Sequence, residues 1–176
     1  ISADVSLNLP DFRAAERTFQ LLTQVAGRAG CRHKAGRVII QTWNPEHYAI
    51  DCARRQDYEA FAARELELRR QFFYPPFSRL GRIVFAHSSE RYLHHLMEDV
   101  RPQAAALQSR HTLRQLHVLG PTPAPFTKLF DRYRQHILLK AASPSVLSQA
   151  LRQLLSALDL PSTVKLTVDV DPAGLL

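Results

Sequence analysis

The segment TQVAGRAGCRH, residues 23–33, contains the side chains best suited to binding an anion. Gly27, Arg28 and Gly30 follow a stretch of periodically spaced apolar residues. Glycines let the backbone turn tightly, and an arginine beside them reaches a negatively charged group. The spacing therefore indicates either the C-terminal cap of a helix or a nucleotide-binding loop.

A second cationic group lies within residues 126–140. Cations alternate there with aromatic residues, a combination suited to phosphate contact and base stacking. The members are Lys128, Arg132, Arg134 and Lys140, with Phe126, Phe130 and Tyr133. On a strand, Arg132 and Arg134 point to one face and Tyr133 to the other. We expect both lysines to extend the positive surface. The alternative is a solvated strand face with a core tyrosine.

Cysteine and histidine spacing predicts no metal site in this chain. Cys31 and Cys52, taken with His33 and His47, match no common zinc pattern. Two cysteines also make no disulfide framework. This usage fits a reducing, cytosolic setting.

The overall charge favours an anionic partner without requiring one. The chain has 176 residues, a net charge of +7 and a pI near 9.9. Arginine accounts for most of the positive charge and suits bidentate phosphate contacts. No apolar run is long enough to cross a bilayer. The first residue is Ile1 and no signal peptide is readable, so we expect a piece of a longer protein.

The first 75 residues read as helices around one short strand. Apolar spacing predicts a helix over 12–26 with Gly27 as its stop, and a second helix over 57–73. RVIIQT, residues 37–42, predicts a short buried strand. Glu65 and Arg69 are expected to pair on the wet side of the second helix. Pro75 and Pro76 end that helix.

The remainder reads as strand, helix, strand, strand, helix, strand. The predicted elements are strands at 79–87, 116–120, 132–141 and 164–170, with helices at about 89–108 and from Pro144 onward. This is the split βαβ, ferredoxin-like order, in which helices cover one face of the sheet. The other face stays open for a partner. The fold class is therefore α/β (α+β), with a βαββαβ domain at 76–176.

Several stretches are collinear with one protein family. They are ADVSLNLPDFRAAERTFQLLTQVAGRAG, GRVIIQTWNPEHYAI, ELELRRQFFYPPFSRLGRIVFA, VLGPTPAP, RYRQHILLK and VDVDP. Together they resemble PriA, the family of primosomal replication-restart helicases also called primosomal protein N′. The resemblance implies that residues 1–75 are the C-terminal part of a RecA-like second motor lobe with a connecting helix. It implies that residues 76–176 are the C-terminal DNA-binding domain.

The resemblance also implies roles for residues in the glycine-containing segment. QVAGRAG matches helicase motif VI, which implies catalytic roles for Gln24 and Arg28 and nucleotide binding by Gly27, Arg28 and Gly30. Cys31 departs from the family pattern, which has an arginine finger at that place. An arginine finger contributes about 10³ to 10⁵ in turnover where measured. The adjacent Arg32 is the one candidate to replace it.

The family further implies cofactors and partners. These are ATP with Mg²⁺ in the intact protein, zinc in the intact family member but none in this chain, forked or branched DNA, the tail of single-stranded-DNA-binding protein, and other primosome proteins. Lys128, Arg132, Tyr133, Arg134, His136 and Lys140 are the DNA- or partner-binding candidates. His136 replaces the family's glutamine and Gln135 its tryptophan.

Two functions remain open at this point. The first is the C-terminal portion of an ATP-dependent 3′-to-5′ DNA helicase that restarts stalled forks. The second is a non-enzymatic DNA- or protein-binding adaptor with a degenerate motif VI. The chain contains no GxxxxGK[ST] phosphate loop. By itself it is therefore not expected to hydrolyse ATP.

Overall fold

A computed structural model describes residues 3–29, 37–109 and 115–175. The chain forms two compact units, residues 1–72 and residues 73–176, called here the helical unit and the sheet unit. The helical unit contains α1 (Asp4–Leu7), α2 (Ala14–Ala29), α3 (Tyr48–Arg55) and α4 (Tyr58–Gln71). The sheet unit contains β1 (Arg79–His87), α5 (Glu90–Gln108), β2 (Leu116–Leu129), β3 (Arg132–Ala141), α6 (Pro144–Ala157) and β4 (Lys165–Val170).

The core of the helical unit is a small apolar cluster. Phe19 of α2 stacks on Phe61 of α4 with 4.1 Å between ring centroids, and Leu22 and Ile50 are buried beside them. Helix α3 was not predicted from the sequence. Its start is fixed by a side chain, because Nδ1 of His47 accepts a hydrogen bond from the backbone N–H of Ala49.

Two predictions for the helical unit are wrong. Gly27 does not end α2, which continues to Ala29, because a helix tolerates one glycine at a cost of only about 1 kcal/mol. Residues 37–42 do not form a buried strand. Only Gln41 forms a bridge, its carbonyl accepting from the Ala3 N–H, and the side chain of Ile39 is exposed. A strand needs a hydrogen-bonded neighbour along its whole length.

The predicted pair of Glu65 and Arg69 exists, but it lies inside the helical unit. Glu65 is only 7% exposed. Arg69 donates to Glu65 and to Glu16, both at 2.7 Å, and its guanidinium lies over the Phe12 ring. The hydroxyl of Tyr48 donates to Glu65 at 2.6 Å. These contacts compensate the burial of charge.

The predicted order of the sheet unit is confirmed. Its four strands are antiparallel in the order β2-β3-β1-β4, so the first and last strands of the unit are neighbours. Asp171, just beyond β4, pairs with Arg79 at 3.0 Å, and its N–H donates to the carbonyl of Leu80. Helices α5 and α6 pack on one face around Phe85 and Met97.

Helix and strand ends in the sheet unit follow local chemistry. Ser143 caps α6 as predicted, its hydroxyl accepting from the Val146 N–H, and Pro144 occupies the first turn. Helix α5 runs through Pro102 without ending there. β2 is longer than predicted and includes the proline-rich segment, with register shifts between Leu119 and Thr122 and before Lys128. As an edge strand, β2 tolerates residues that donate no hydrogen bond.

Candidate functional site

The face of the sheet opposite the helices presents the side chains of alternate residues. On β1, Ile83 and Phe85 enter the core, so Arg82 and Val84 point to the other face. The register places Val84 opposite His136 of β3. Alternation in paired strands therefore brings arginines and a histidine together on the open face.

A depression of about 420 Å³ lies on this face. Among the described residues, its charged lining consists of four cations and one carboxylate: Arg82, Arg132, Arg134, Lys165 and Asp169. Thr167, Leu129 and Phe130 contribute to its wall. The excess of positive charge in a concave surface attracts anionic ligands.

The two arginines of β3 have the predicted orientation. Arg132 and Arg134 both line the depression, and Tyr133 between them packs against the core on the opposite face. The guanidinium of Arg132 also donates to the carbonyl of Thr163 at 3.4 Å. This hydrogen bond to the backbone holds the charge of Arg132 at the rim of the depression.

The two lysines do not extend this surface as predicted. Lys140 is only 7% exposed, and its ammonium lies 3.4 Å from the centroid of the Tyr74 ring. Burial lowers the pKa of Lys140. Lys128 lies over the Tyr133 ring at 5.2 Å, hence on the opposite side of the hairpin, and is 3.6 Å from Asp131. Spacing in the sequence did not indicate which face each lysine occupies.

The segment before β1 explains why Lys140 is buried. Tyr74 covers its ammonium, and the Phe73 ring packs against His117 with 5.1 Å between centroids. His117 lies opposite Lys140 in the β2–β3 register. The open face is therefore covered at this end, and only the half containing Arg134 remains accessible.

His136 lies on the same face of β3 as Arg134, two residues away, and is half-buried. Its Nδ1 is buried and makes no hydrogen bond to another described residue. Burial, reinforced by the charges of Arg82 and Arg134, lowers the pKa of His136 to about 4. The imidazole is consequently neutral at pH 7, and the positive charge of the depression comes from the arginines and Lys165.

Arg82 was not identified from the sequence. It is only 4% exposed and lines the depression from β1. The signal was present in RLGRIVFAH, where Arg82 interrupts the apolar run between Leu80 and Ala86. A cation at the centre of such a strand must point away from the core.

The tip of the β2–β3 hairpin presents an aromatic ring to solvent. Phe130 and Asp131 form the two-residue turn, with φ of 48° and 58°. Phe130 is 90% exposed and reaches the wall of the depression. The cationic depression therefore has an aromatic edge.

The predicted nucleotide-binding residues lie near the C-terminal end of α2. Gln24 and Arg28 are four residues apart on the helix, and both are exposed. Gly27 is exposed too, with open space where a Cβ would be. Gly30 and Cys31 lie outside the described residues. Gln24 also lines an apolar depression of about 460 Å³ with Phe19 and Tyr58.

The described part of the chain has neither a metal-binding cluster nor a membrane-spanning helix. Within 3–29, 37–109 and 115–175, no three His, Cys, Asp or Glu side chains are placed to hold a metal ion. No described helix has the length and apolar character needed to span a membrane. Cys52 is buried.

Comparison with known proteins identifies the family. The family model described as the primosomal protein N C-terminal domain matches residues 70–173. The chain belongs to this family. Replication restart protein PriA of Treponema pallidum is 42% identical over 174 residues, 99% of this chain and 26% of that protein. PriA of Bacillus subtilis is 39% identical over 160 residues, 88% of this chain and 19% of that protein.

PriA of Haemophilus influenzae is 39% identical over 178 residues, 99% of this chain and 24% of that protein. The predicted resemblance to PriA is therefore confirmed, and the chain spans about a fifth to a quarter of the length of these relatives. Among solved structures, a de novo designed protein has a TM-score of 0.40 at 10% identity, covering 53% of this chain and 94% of that one. This TM-score is too low to indicate a shared fold.

Proposed function

We propose that this chain is the C-terminal portion of an ATP-dependent 3′-to-5′ DNA helicase that binds branched DNA and restarts stalled forks. The observation that carries the proposal is the cationic depression on the open face of a sheet that belongs to the PriA C-terminal domain family. Arg132 and Arg134 are the DNA-contacting residues, and Arg82 and Lys165 add charge beside them. Phosphate contacts from such cations supply affinity without sequence preference.

The proposal assigns residues 1–75 to the C-terminal part of a RecA-like motor lobe and residues 76–176 to the DNA-binding domain. The exposed apolar side chains of the helical unit support the first assignment. Ile39 is exposed and Trp43 is 95% exposed, next to a segment whose composition predicts a buried strand. Additional strands of a larger sheet would cover these side chains.

ATP with Mg²⁺ is the proposed cofactor of the intact protein and would supply the phosphoryl transfer that drives the motor. Gln24, Gly27, Arg28 and Gly30 would contribute to its site. Arg28 fits this role because its side chain is exposed near the end of α2. An arginine placed there would offset charge on the γ-phosphate. The described residues provide no set of ligands for zinc.

Cys31 favours the second candidate, a non-enzymatic adaptor. Thiol side chains have neither the positive charge nor the reach of an arginine finger. In the full-length protein, Cys31→Arg is expected to raise kcat at least about tenfold with little change in nucleotide affinity. Steady-state phosphate release measures this. An unchanged kcat would mean that Arg32 or another group already fills the role, whereas no hydrolysis by either protein would favour the adaptor.

The acidic tail of single-stranded-DNA-binding protein and other primosome proteins are the proposed protein partners. Arg132 and His136 would face the tail. A neutral histidine in place of the family's glutamine can still donate one hydrogen bond. A cytosolic location follows from this role in replication.

The DNA-binding part of the proposal is tested by the salt dependence of binding. Removing one phosphate contact lowers the slope of log K against log salt by roughly 0.7 to 0.9. Replacing Arg132 and Arg134 with alanine should therefore flatten the slope by about 1.5, measured by fluorescence anisotropy with a labelled fork.

A matched control removes the same charge from the helix-covered side. Arg91 of α5 and Arg152 of α6 are both exposed, and the double alanine variant should keep the wild-type slope. Equal slopes in all three proteins would place the DNA surface elsewhere. Unfolding of the Arg132/Arg134 variant, seen by circular dichroism, would mean that those arginines are structural.

A further inference from the structure

The turn at the tip of the β2–β3 hairpin is an unfavourable place for phenylalanine. Both turn residues have left-handed backbone conformations, at φ of 48° and 58°. Two-residue hairpin turns of this kind favour Asn-Gly, because most side chains crowd the backbone there. The local geometry therefore gives no reason for a phenylalanine at position 130.

Packing gives no reason either. Phe130 is 90% exposed, so its ring buries almost no surface within the chain. A ring this exposed contributes little to stability. The backbone of the turn is nevertheless held at a defined place, since Leu129 and Arg132 on either side of it are paired in the sheet.

The surroundings of Phe130 are cationic. The ring shares the wall of the depression with Arg132, Arg134 and Lys165. The next residue, Asp131, carries a negative charge, which Lys128 partly offsets at 3.6 Å. An exposed aromatic face beside several phosphate-binding cations is the combination that single-stranded nucleic acids need, since each base offers a flat face and each nucleotide a charge.

We infer that Phe130 is a stacking platform for an unpaired base, and that the hairpin tip therefore binds single-stranded DNA next to the arginines. The inference rests on the proposed DNA-binding function and adds that the DNA bound at the hairpin tip is single-stranded. Bases within a duplex are already stacked and paired, so a duplex offers the tip only its phosphates. An unpaired base leaves a face free for the ring.

The test compares how tightly the whole wild-type chain and its Phe130→Ala variant bind a labelled oligothymidylate and a labelled duplex. Fluorescence anisotropy of the label measures both affinities. Loss of one stacked base should weaken oligothymidylate binding by about five- to a hundred-fold. Duplex affinity and both salt slopes should stay unchanged. Phe130→Gly suits the left-handed backbone and should give the same result with the fold intact.

Two controls isolate stacking from other effects. Tyr92 is an exposed aromatic residue of α5, on the helix-covered side of the sheet, and Tyr92→Ala should not change oligothymidylate affinity. A strand with abasic sites in place of thymines keeps its phosphates but has no bases. It should bind wild type and Phe130→Ala equally.

The outcomes separate this inference from the proposed function. If wild type binds neither oligothymidylate nor duplex, the proposed function is wrong and the inference falls with it. If DNA is bound and Phe130→Ala and Phe130→Gly both match wild type, the inference alone is overturned. It is also overturned if these variants lose affinity for a labelled acidic peptide but not for oligothymidylate.

Discussion

The sheet unit and the helical unit differ in what each leaves exposed. The sheet unit buries a continuous core beneath α5 and α6, and its open face is mainly polar and charged. The helical unit has a small core and leaves Ile39 and Trp43 in solvent. Its centre also depends on the buried charges of Glu65 and Arg69. The sheet unit is thus stabilised chiefly by apolar packing, whereas the stability of the helical unit also depends on a buried ionic network.

A core truncation in the sheet unit should have the largest effect. Phe85 is fully buried, and Phe85→Ala should lower the free energy of unfolding of this unit by about 3–5 kcal/mol. Hydrogen exchange of the β1 and β3 amides measures the loss of stability of the sheet unit separately from the helical unit. Leu119→Ala, on an exposed position of β2, should stay within about 0.5 kcal/mol. Equal effects of the two variants would contradict the packing account.

Removing the central cation should have the next largest effect, this time in the helical unit. Arg69→Ala leaves the buried carboxylate of Glu65 without its cation. The expected cost is about 2–4 kcal/mol, because breaking buried pairs costs about 3–5 kcal/mol and Arg69 keeps some solvent contact. Exchange of α2 and α4 amides measures it.

A control for Arg69 lies on the same helix. Arg64 pairs with Glu67 at 2.6 Å on the exposed side of α4, and Arg64→Ala should cost no more than about 0.5 kcal/mol. If both variants cost the same, the buried network is not what stabilises this unit.

Acid should destabilise the sheet unit through one half-buried histidine. The folded-state pKa of His136 is lowered to about 4 from 6.5, so the unfolded state binds the proton first. Stability of the sheet unit should therefore fall as pH drops from about 6.5 to 4, by about 1–2 kcal/mol after allowance for partial exposure. His136→Gln should flatten that range, as followed by pH-dependent unfolding in urea.

The helical unit should lose stability in two ranges: below about pH 6.5 through His47, whose pKa burial also lowers, and at lower pH through Glu16. Hydrogen bonding from Arg13, with a smaller contribution from Arg69, lowers the pKa of Glu16 to about 2 from 4.5 despite burial. Its stabilising contribution is complete above pH 4.5 and is lost as pH falls toward 2. Unchanged helical-unit protection between pH 4.5 and 2 would contradict this assignment.

The smallest expected effect is a gain. Gly27 lies within α2 with open space for a Cβ, so Gly27→Ala should stabilise the helical unit by about 0.5–1 kcal/mol. Thermal unfolding followed by the helical circular dichroism signal tests this. A loss of stability instead would contradict the open space at this position.

Sequence patterns predicted the order of elements in the sheet unit well. β1 and β3 begin and end where predicted, and Ser143 caps α6 as predicted. The proline-rich end of β2 was read as a loop, since an edge strand that lacks donors has no distinctive pattern. In the helical unit, residues 37–42 have the composition of a strand but no neighbouring strand among the described residues.

The candidate site was only partly predictable. Alternation placed Arg132 and Arg134 together, because neighbours two apart on a strand share a face. Burial of Lys140 depends on Tyr74, which is distant in sequence, and the position of Arg82 depends on strand pairing. Charge composition counts cations but does not assign them to faces. The sequence does not separate Phe130 from the other aromatic residues of the hairpin, whereas its exposure and its left-handed backbone do.

The pairing of β1 with β4 has a consequence for how the sheet unit can be engineered. The first strand of this unit begins at Arg79 and the last is followed by Asp171, and these two residues form an ion pair at 3.0 Å. The two ends of the sheet therefore lie side by side, the arrangement that favours domain insertion and circular permutation. A few linker residues between them would close the loop, and a new opening in the turn after α6 would yield a permutant with the same cationic face. The unit could thus be moved between host proteins as a cassette.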